Sequence, residues 1–168
     1  DNTLPENHII AANEGNALAI GVGYHLSTSK IPLIYMQNSG LGNVINPLLS
    51  LADLDVYSVP LLMMIGWRGE PGIKDEPQHK KQGRVTVALL EAMEIPYKVL
   101  TADSNIKEAE AALKAMLTIA KKEKKPCALL IKKNLFEDYK FQSDTPYEKP
   151  LYREQVIEIV IDSLNESD

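Results

Sequence analysis

The chain has 168 residues, 45% of them hydrophobic, with 18 Lys and Arg against 23 Asp and Glu and a formal net charge of −5. That is material for one ordinary globular core, and the interspersed, slightly acidic charge excludes the one-sided basic field that a nucleic-acid backbone or an anionic membrane surface would demand. Cys127 is the single cysteine, so no internal disulfide can form, and no Cys/His cluster has metal-ligand spacing, so no metal-binding residue is expected. The longest apolar stretch, 59–65, is far shorter than the roughly 20 residues of a bilayer span. With no signal peptide visible, the expectation is a soluble cytoplasmic protein in a reducing compartment.

In chain order, 8–12 is a short β-leaning run, and 14–26 places Ala17, Leu18, Gly21, Val22 and His25 at helical spacing after a plausible N-cap, Asn13. Gly15, Gly21 and Gly23 would each weaken that helix by about 1 kcal/mol relative to Ala, which suggests close packing there. Residues 31–36 predict a buried strand, ending in the turn Gln37-Asn38-Ser39-Gly40 before a helix over 42–51. A second buried strand, 59–65, opens into a long loop, 66–79. Then come a helix over 83–93, a short strand over 97–100, a helix over 104–122 with Ile106, Ala109, Leu113, Met116, Leu117 and Ala120 on one face, and a strand over 126–132.

Strands alternating with helices on continuous apolar runs predict an α/β three-layer sandwich with a mainly parallel sheet. Residues 1–133 form the expected α/β domain. Residues 134–168 read as a polar connector carrying Pro146 and Pro150, then a helix over 151–164 with Val156, Ile157, Val160 and Leu164 at helical spacing. The basic run 121–125 closes a helix, where cations meet the negative end of the dipole, and reads as a solvated terminus.

Ligands of open parallel sheets bind at the carboxyl ends of strands, which singles out Asn13-Glu14-Gly15, the turn from Gln37 to Gly42 and the loop from Gly66 to His79. Taken singly these read as a helix-dipole acid, turn chemistry and a surface loop. Arg68 could pair with Glu70 or Asp75 or hold an external anion. His79, as an imidazole, could relay a proton. His8 and His25 look structural, and Trp67 is as fit to anchor the loop as to touch a ligand.

In combination, Ala12-Asn13-Glu14-Gly15-Asn16-Ala17, Tyr35-Met36-Gln37-Asn38-Ser39-Gly40-Leu41-Gly42-Asn43, Gly66-Trp67-Arg68-Gly69-Glu70-Pro71-Gly72 and Asp75-Glu76-Pro77-Gln78-His79 resemble the pyrimidine-binding domain of thiamin-diphosphate enzymes, specifically the phosphonopyruvate decarboxylase family. The resemblance runs from about His8 to Leu100. The Trp-Arg-Gly turn is also similar to sulfopyruvate decarboxylases, while the Asp-Glu-Pro-Gln-His continuation looks more like the phosphonopyruvate enzymes.

The resemblance implies that Glu14 is catalytic, hydrogen-bonding N1′ of the aminopyrimidine and favouring the imino tautomer whose N4′ removes the thiazolium C2 proton. It implies cofactor contacts from Asn38, Ser39 and Gly40, an anion partner in Arg68, a substrate-orienting Gln78 and a proton-relaying His79. It further implies decarboxylation of 3-phosphonopyruvate to phosphonoacetaldehyde and CO₂, with thiamin diphosphate and Mg²⁺ as cofactors. The family's leading strand and helix and its Gly-Asp-Gly diphosphate module, which holds the Mg²⁺, are not recognisable in these residues. The expectation is therefore a fragment, or a separate subunit, that is inactive alone and works in a homo- or hetero-oligomer with a diphosphate-binding domain on the same or another chain. In isolation Glu14 and the 66–79 loop are then expected to face solvent or a crystal neighbour, with the loop poorly ordered without its partner. Two other readings stand beside this one: a sulfopyruvate decarboxylase alpha subunit, and a non-catalytic α/β binding or assembly module.

Overall fold

The computed structural model describes residues 7–138 and 152–163. The chain falls into two compact units, Asp1–Glu137 and Asp138–Asp168. In the first, α1 (Glu14–Thr28), β1 (Leu33–Gln37), a single 3₁₀ turn (Asn38–Gly40), α2 (Leu41–Pro47), a wider-wound turn (Leu48–Ala52), β2 (Leu61–Gly66), α3 (Pro77–Ala92), β3 (Tyr97–Leu100), α4 (Ile106–Glu123) and β4 (Pro126–Ile131) follow in order. The strands form one four-stranded sheet in the order β1-β2-β4-β3, every neighbouring pair parallel, with Leu33 opposite Leu62, Leu62 opposite Cys127 and Tyr97 opposite Ala128.

The expected α/β sandwich is present, and burial explains it. Every residue of β4 is buried, as is most of β2, because helices cover both faces of the central strands. On one face α1, α2 and α3 contribute Leu18, Val22, Leu41, Val44 and Leu90 against Ile34, Met63, Ile65 and Leu130. On the other, Met116 and Ala120 of α4 pack on Leu62, Leu100, Cys127, Leu129 and Ile131. Two caps fix helix starts: Asn13 Oδ1 accepts from Asn16 N–H at 2.9 Å, and Asn105 with Glu108 forms a reciprocal capping box at α4.

Several expectations need correction. Residues 8–12 are not a strand, and Ile9 and Ile10 are exposed; among the described residues they have no neighbour to share a hydrogen-bond ladder with, and β propensity without a partner makes no sheet. Helix α3 begins at Pro77 rather than 83. Proline suits a first helical position, where its missing N–H is not needed, and the polar run that follows hides the helix from an apolar-periodicity reading. The helix over 42–51 ends at Pro47 and continues as the wider turn. Gly21 is tightly packed, since a Cβ there would lie 2.6 Å from Ile34 Cδ1, whereas Gly23 has open space. Ile106, placed on the buried face of α4, is 79% exposed.

In the second unit, α5 spans Arg153–Ser163, within the expected 151–164, and Tyr152 N–H donates to Gln155 Oε1 at 2.7 Å at its start. Val156 and Ile157 are exposed. Leu164, the Val160 side chain and the connector from residue 139 onward, Pro146 and Pro150 included, lie outside the described residues.

Candidate active site

Three segments meet at the carboxyl end of the sheet: the start of α1, the turn after β1 and the loop after β2. Glu14 is the first residue of α1, where a carboxylate complements the helix dipole. Its Oε2 accepts from Asn43 Nδ2 of α2 at 2.8 Å. That bond, with a smaller contribution from its own backbone N–H, holds the carboxyl below its ordinary value, while partial burial pushes weakly the other way. The side chain lies directly over Gly40: a Cβ there would sit 2.2 Å from Glu14 Cγ and 2.9 Å from Oε1. Gly40 has an ordinary helical φ of −75°, so it is space rather than backbone strain that requires glycine. Glu14 is half-buried, open enough to meet a ligand and braced enough to have one orientation.

Asn38 is buried, and its side chain turns inward. Nδ2 donates to Arg68 O and to Thr86 Oγ1, both at 2.8 Å, and Oδ1 accepts from Arg68 N–H at 3.0 Å. One amide thus ties the turn after β1 to both backbone groups of Arg68 and to α3. These bonds leave the backbone of Asn38, rather than its side chain, for the expected cofactor contact, because the loop's own polar groups must be paired once water is excluded. Ser39 is half-buried beside it, and its hydroxyl has no hydrogen bond among the described residues.

The loop after β2 is a braced structure. Arg68 pairs bidentately with Asp75, Nε to Oδ2 at 2.9 Å and Nη2 to Oδ1 at 2.5 Å, and Asp75 also accepts from Gly69 and Glu76 N–H. The guanidinium and these two amides hold the Asp75 carboxyl well below the usual carboxylate range, and Asp75 in turn raises Arg68. Trp67 Nε1–H donates to Gly83 O at 2.9 Å, while Lys132 lies 5.7 Å from the Trp67 ring centroid and pairs with Glu70. Trp67 therefore anchors the loop. Gly69, at φ +67°, lies so close to α3 that a Cβ would overlap His79 O, and Gly83 is equally pressed against Gly69 O. The expectation of a poorly ordered loop overlooked this bonding set.

His79 and Gln78 consequently sit in the first turn of α3, not in a loop. His79 is half-buried, and its imidazole has no hydrogen bond among the described residues; Gln78 is exposed. His25 accepts the structural reading, its Nδ1 lying 2.8 Å from Lys30 O. Asn43, Thr86 and Lys132 escaped the sequence reading as site residues. Asn43 ended a recognisable motif, but nothing in a single sequence signals Thr86 or Lys132. No group of three or more His, Cys, Asp or Glu among the described residues could hold a metal ion.

Residues 4–94 match the family model described as "Thiamine pyrophosphate enzyme, N-terminal TPP binding domain". The chain is 39% identical over 93 residues, 55% of its length and 23% of the relative's, to a phosphonopyruvate decarboxylase of Streptomyces viridochromogenes. It is 32% identical over 124 residues, 74% of its length and 71% of the relative's, to sulfopyruvate decarboxylase subunit alpha of Methanothermobacter thermautotrophicus. A sulfopyruvate decarboxylase subunit alpha of Methanococcus maripaludis is 41% identical over 90 residues, 54% of the chain and 52% of the relative. The match thus spans under a quarter of the length of the phosphonopyruvate decarboxylases.

Proposed function

Because the chain belongs to the thiamine pyrophosphate enzyme N-terminal domain family, we propose that it is the pyrimidine-binding part of a thiamin-diphosphate-dependent 2-oxo acid decarboxylase, acting on 3-phosphonopyruvate. The observation that carries this reading is the Glu14 carboxylate, braced by Asn43 and seated over a glycine that leaves it room. The cradle fits an aminopyrimidine: Glu14 would hold N1′, while Ser39 and the backbone of Asn38 and Gly40 would flank the ring. When bound, the coenzyme supplies the acidic thiazolium carbon and the electron sink that decarboxylation of a 2-oxo acid requires.

Glu14's part would be to hydrogen-bond N1′ and share with it the proton that the imino tautomer carries there, so that the ring's exocyclic nitrogen can act as the base. Arg68, oriented by Asp75 and 40% exposed at its side chain, would meet the substrate's anionic group with its remaining N–H groups. His79 would return a proton to the product carbon, and Gln78 would orient the acid. The diphosphate and Mg²⁺ would be held by a diphosphate-binding domain on the same or another chain, so the present residues alone would not turn over substrate.

A second substrate reading, sulfopyruvate, is favoured by one observation: the match covers 71% of a sulfopyruvate decarboxylase alpha subunit. Turnover of both acids by the enzyme assembled with a diphosphate-binding module, thiamin diphosphate and Mg²⁺ separates the two. Faster use of the phosphonate supports the first reading and faster use of the sulfonate the second. Glu14→Gln should abolish both activities, and unchanged turnover in that variant would overturn the proposal and leave a non-catalytic module.

A further inference from the structure

Asn43 and Glu14 are 29 residues apart, so no local turn or helix preference explains their hydrogen bond; the packing of α1 against α2 creates it. Gly40 removes the atom that would push Glu14 away. A Cβ on Gly15 would lie only 3.0 Å from the Asn43 carbonyl oxygen, so glycine there lets α1 approach α2 closely. Pro47, one turn further along α2, has no N–H to offer that carbonyl, which frees it to lie against α1.

Resting on the reading that Glu14 meets the coenzyme's pyrimidine, we propose that Asn43 is a positioning residue for the reaction: its Nδ2 fixes Glu14 Oε2, so that one carboxylate oxygen is committed to the protein and the other is presented to the ring nitrogen. A lone carboxylate on a half-exposed helix start would sample several rotamers, and ordering it on binding would weaken the interaction. A donor on one oxygen sets the carboxylate plane in advance.

The same bond favours the charged form, and the Glu14 carboxyl lies below its ordinary value with Asn43 the largest cause. The other causes are Glu14's own backbone N–H and burial, and no charged group of α1, α2 or the Asn38–Gly40 turn is among them. An ionised Glu14 stabilises the ring forms that carry a proton on N1′, the imino tautomer among them. An amide suits the task because it does not titrate, so the donor itself is unchanged by pH.

The experiment is a ¹³C NMR titration of the Glu14 carboxyl in the labelled 168-residue chain, comparing wild type with Asn43→Ala and with the isosteric Asn43→Asp. The midpoint should rise from wild type to Asn43→Ala and further in Asn43→Asp, where a like charge replaces the donor. Asn43→Asp keeps the side-chain volume and so preserves the comparison if the alanine variant is poorly folded. In the assembled enzyme with thiamin diphosphate and Mg²⁺, Asn43→Ala should lower kcat about 10- to 100-fold with KM for the 2-oxo acid little changed. Identical midpoints in all three chains would overturn the inference. So would full kcat in Asn43→Ala where Glu14→Gln is inactive, and that result would leave the functional reading standing. Full activity in Glu14→Gln would overturn the reading, and the role of Asn43 with it.

Discussion

Replacing Gly40 by Ala separates the site from the fold more sharply than any other single change. The backbone at Gly40 is at φ −75° and ψ −12°, which alanine adopts freely, so the substitution carries no conformational strain. The added methyl, however, would stand 2.2 Å from Glu14 Cγ and 2.6 Å from Cδ. Carbon atoms in contact prefer about 3.5–4.0 Å, so Glu14 must retreat by about 1.3 Å or more. Its half-exposed side chain can swing aside at little expense, losing the Asn43 bond at about 0.5–1.5 kcal/mol. Thermal unfolding of the chain, followed by circular dichroism, should therefore stay within about 1–2 kcal/mol of wild type. Displacement of a reacting group by about 1 Å costs on the order of 100-fold in rate, and turnover by the assembled enzyme should fall by that much. Wild-type turnover in Gly40→Ala would refute the reasoning, as would a collapse of the fold.

The Asn38 clip and the Cys127 thiol provide two further checks. Asn38→Ala removes three hydrogen bonds and leaves the N–H and C=O of Arg68 without their partner, so the urea midpoint should fall by the equivalent of about 2–4 kcal/mol; a loss below about 1 kcal/mol would contradict the clip. Burial pushes the Cys127 thiol up to about 11 from an ordinary value of 9.0. The thiol ionises first in the unfolded chain, so its contribution to stability is complete below pH about 9 and declines as pH rises toward 11, by about 2–3 kcal/mol. Cys127→Ala should remove that alkaline slope, and an unchanged slope would place its origin elsewhere.

The features legible in the sequence were those written in single segments. The apolar runs 59–65 and 126–132 announced buried strands of a parallel sheet, found at 61–66 and 126–131, and the Asn13 cap and the turn glycines around Glu14 and Gly40 located the candidate site. What escaped was written between segments. The inward bonding of Asn38 could not be read from its turn, because its partners, Arg68 and Thr86, come from a loop and a helix 30 and 48 residues away. The first turns of α3 were mistaken for loop because polar residues after Pro77 carry no apolar period, and the close approach of Gly83 to Gly69 that packs the loop on the helix lies between segments. Residues 8–12 have strand propensity, and a strand is a relation between two segments.

The account's central claim concerns one carboxylate. A structure of this chain assembled with a diphosphate-binding module and thiamin diphosphate should place a Glu14 oxygen within hydrogen-bond distance of N1′, about 2.6–3.2 Å, with Asn43 still donating to the other oxygen. A complex in which the pyrimidine lies elsewhere, out of reach of Glu14, would contradict it.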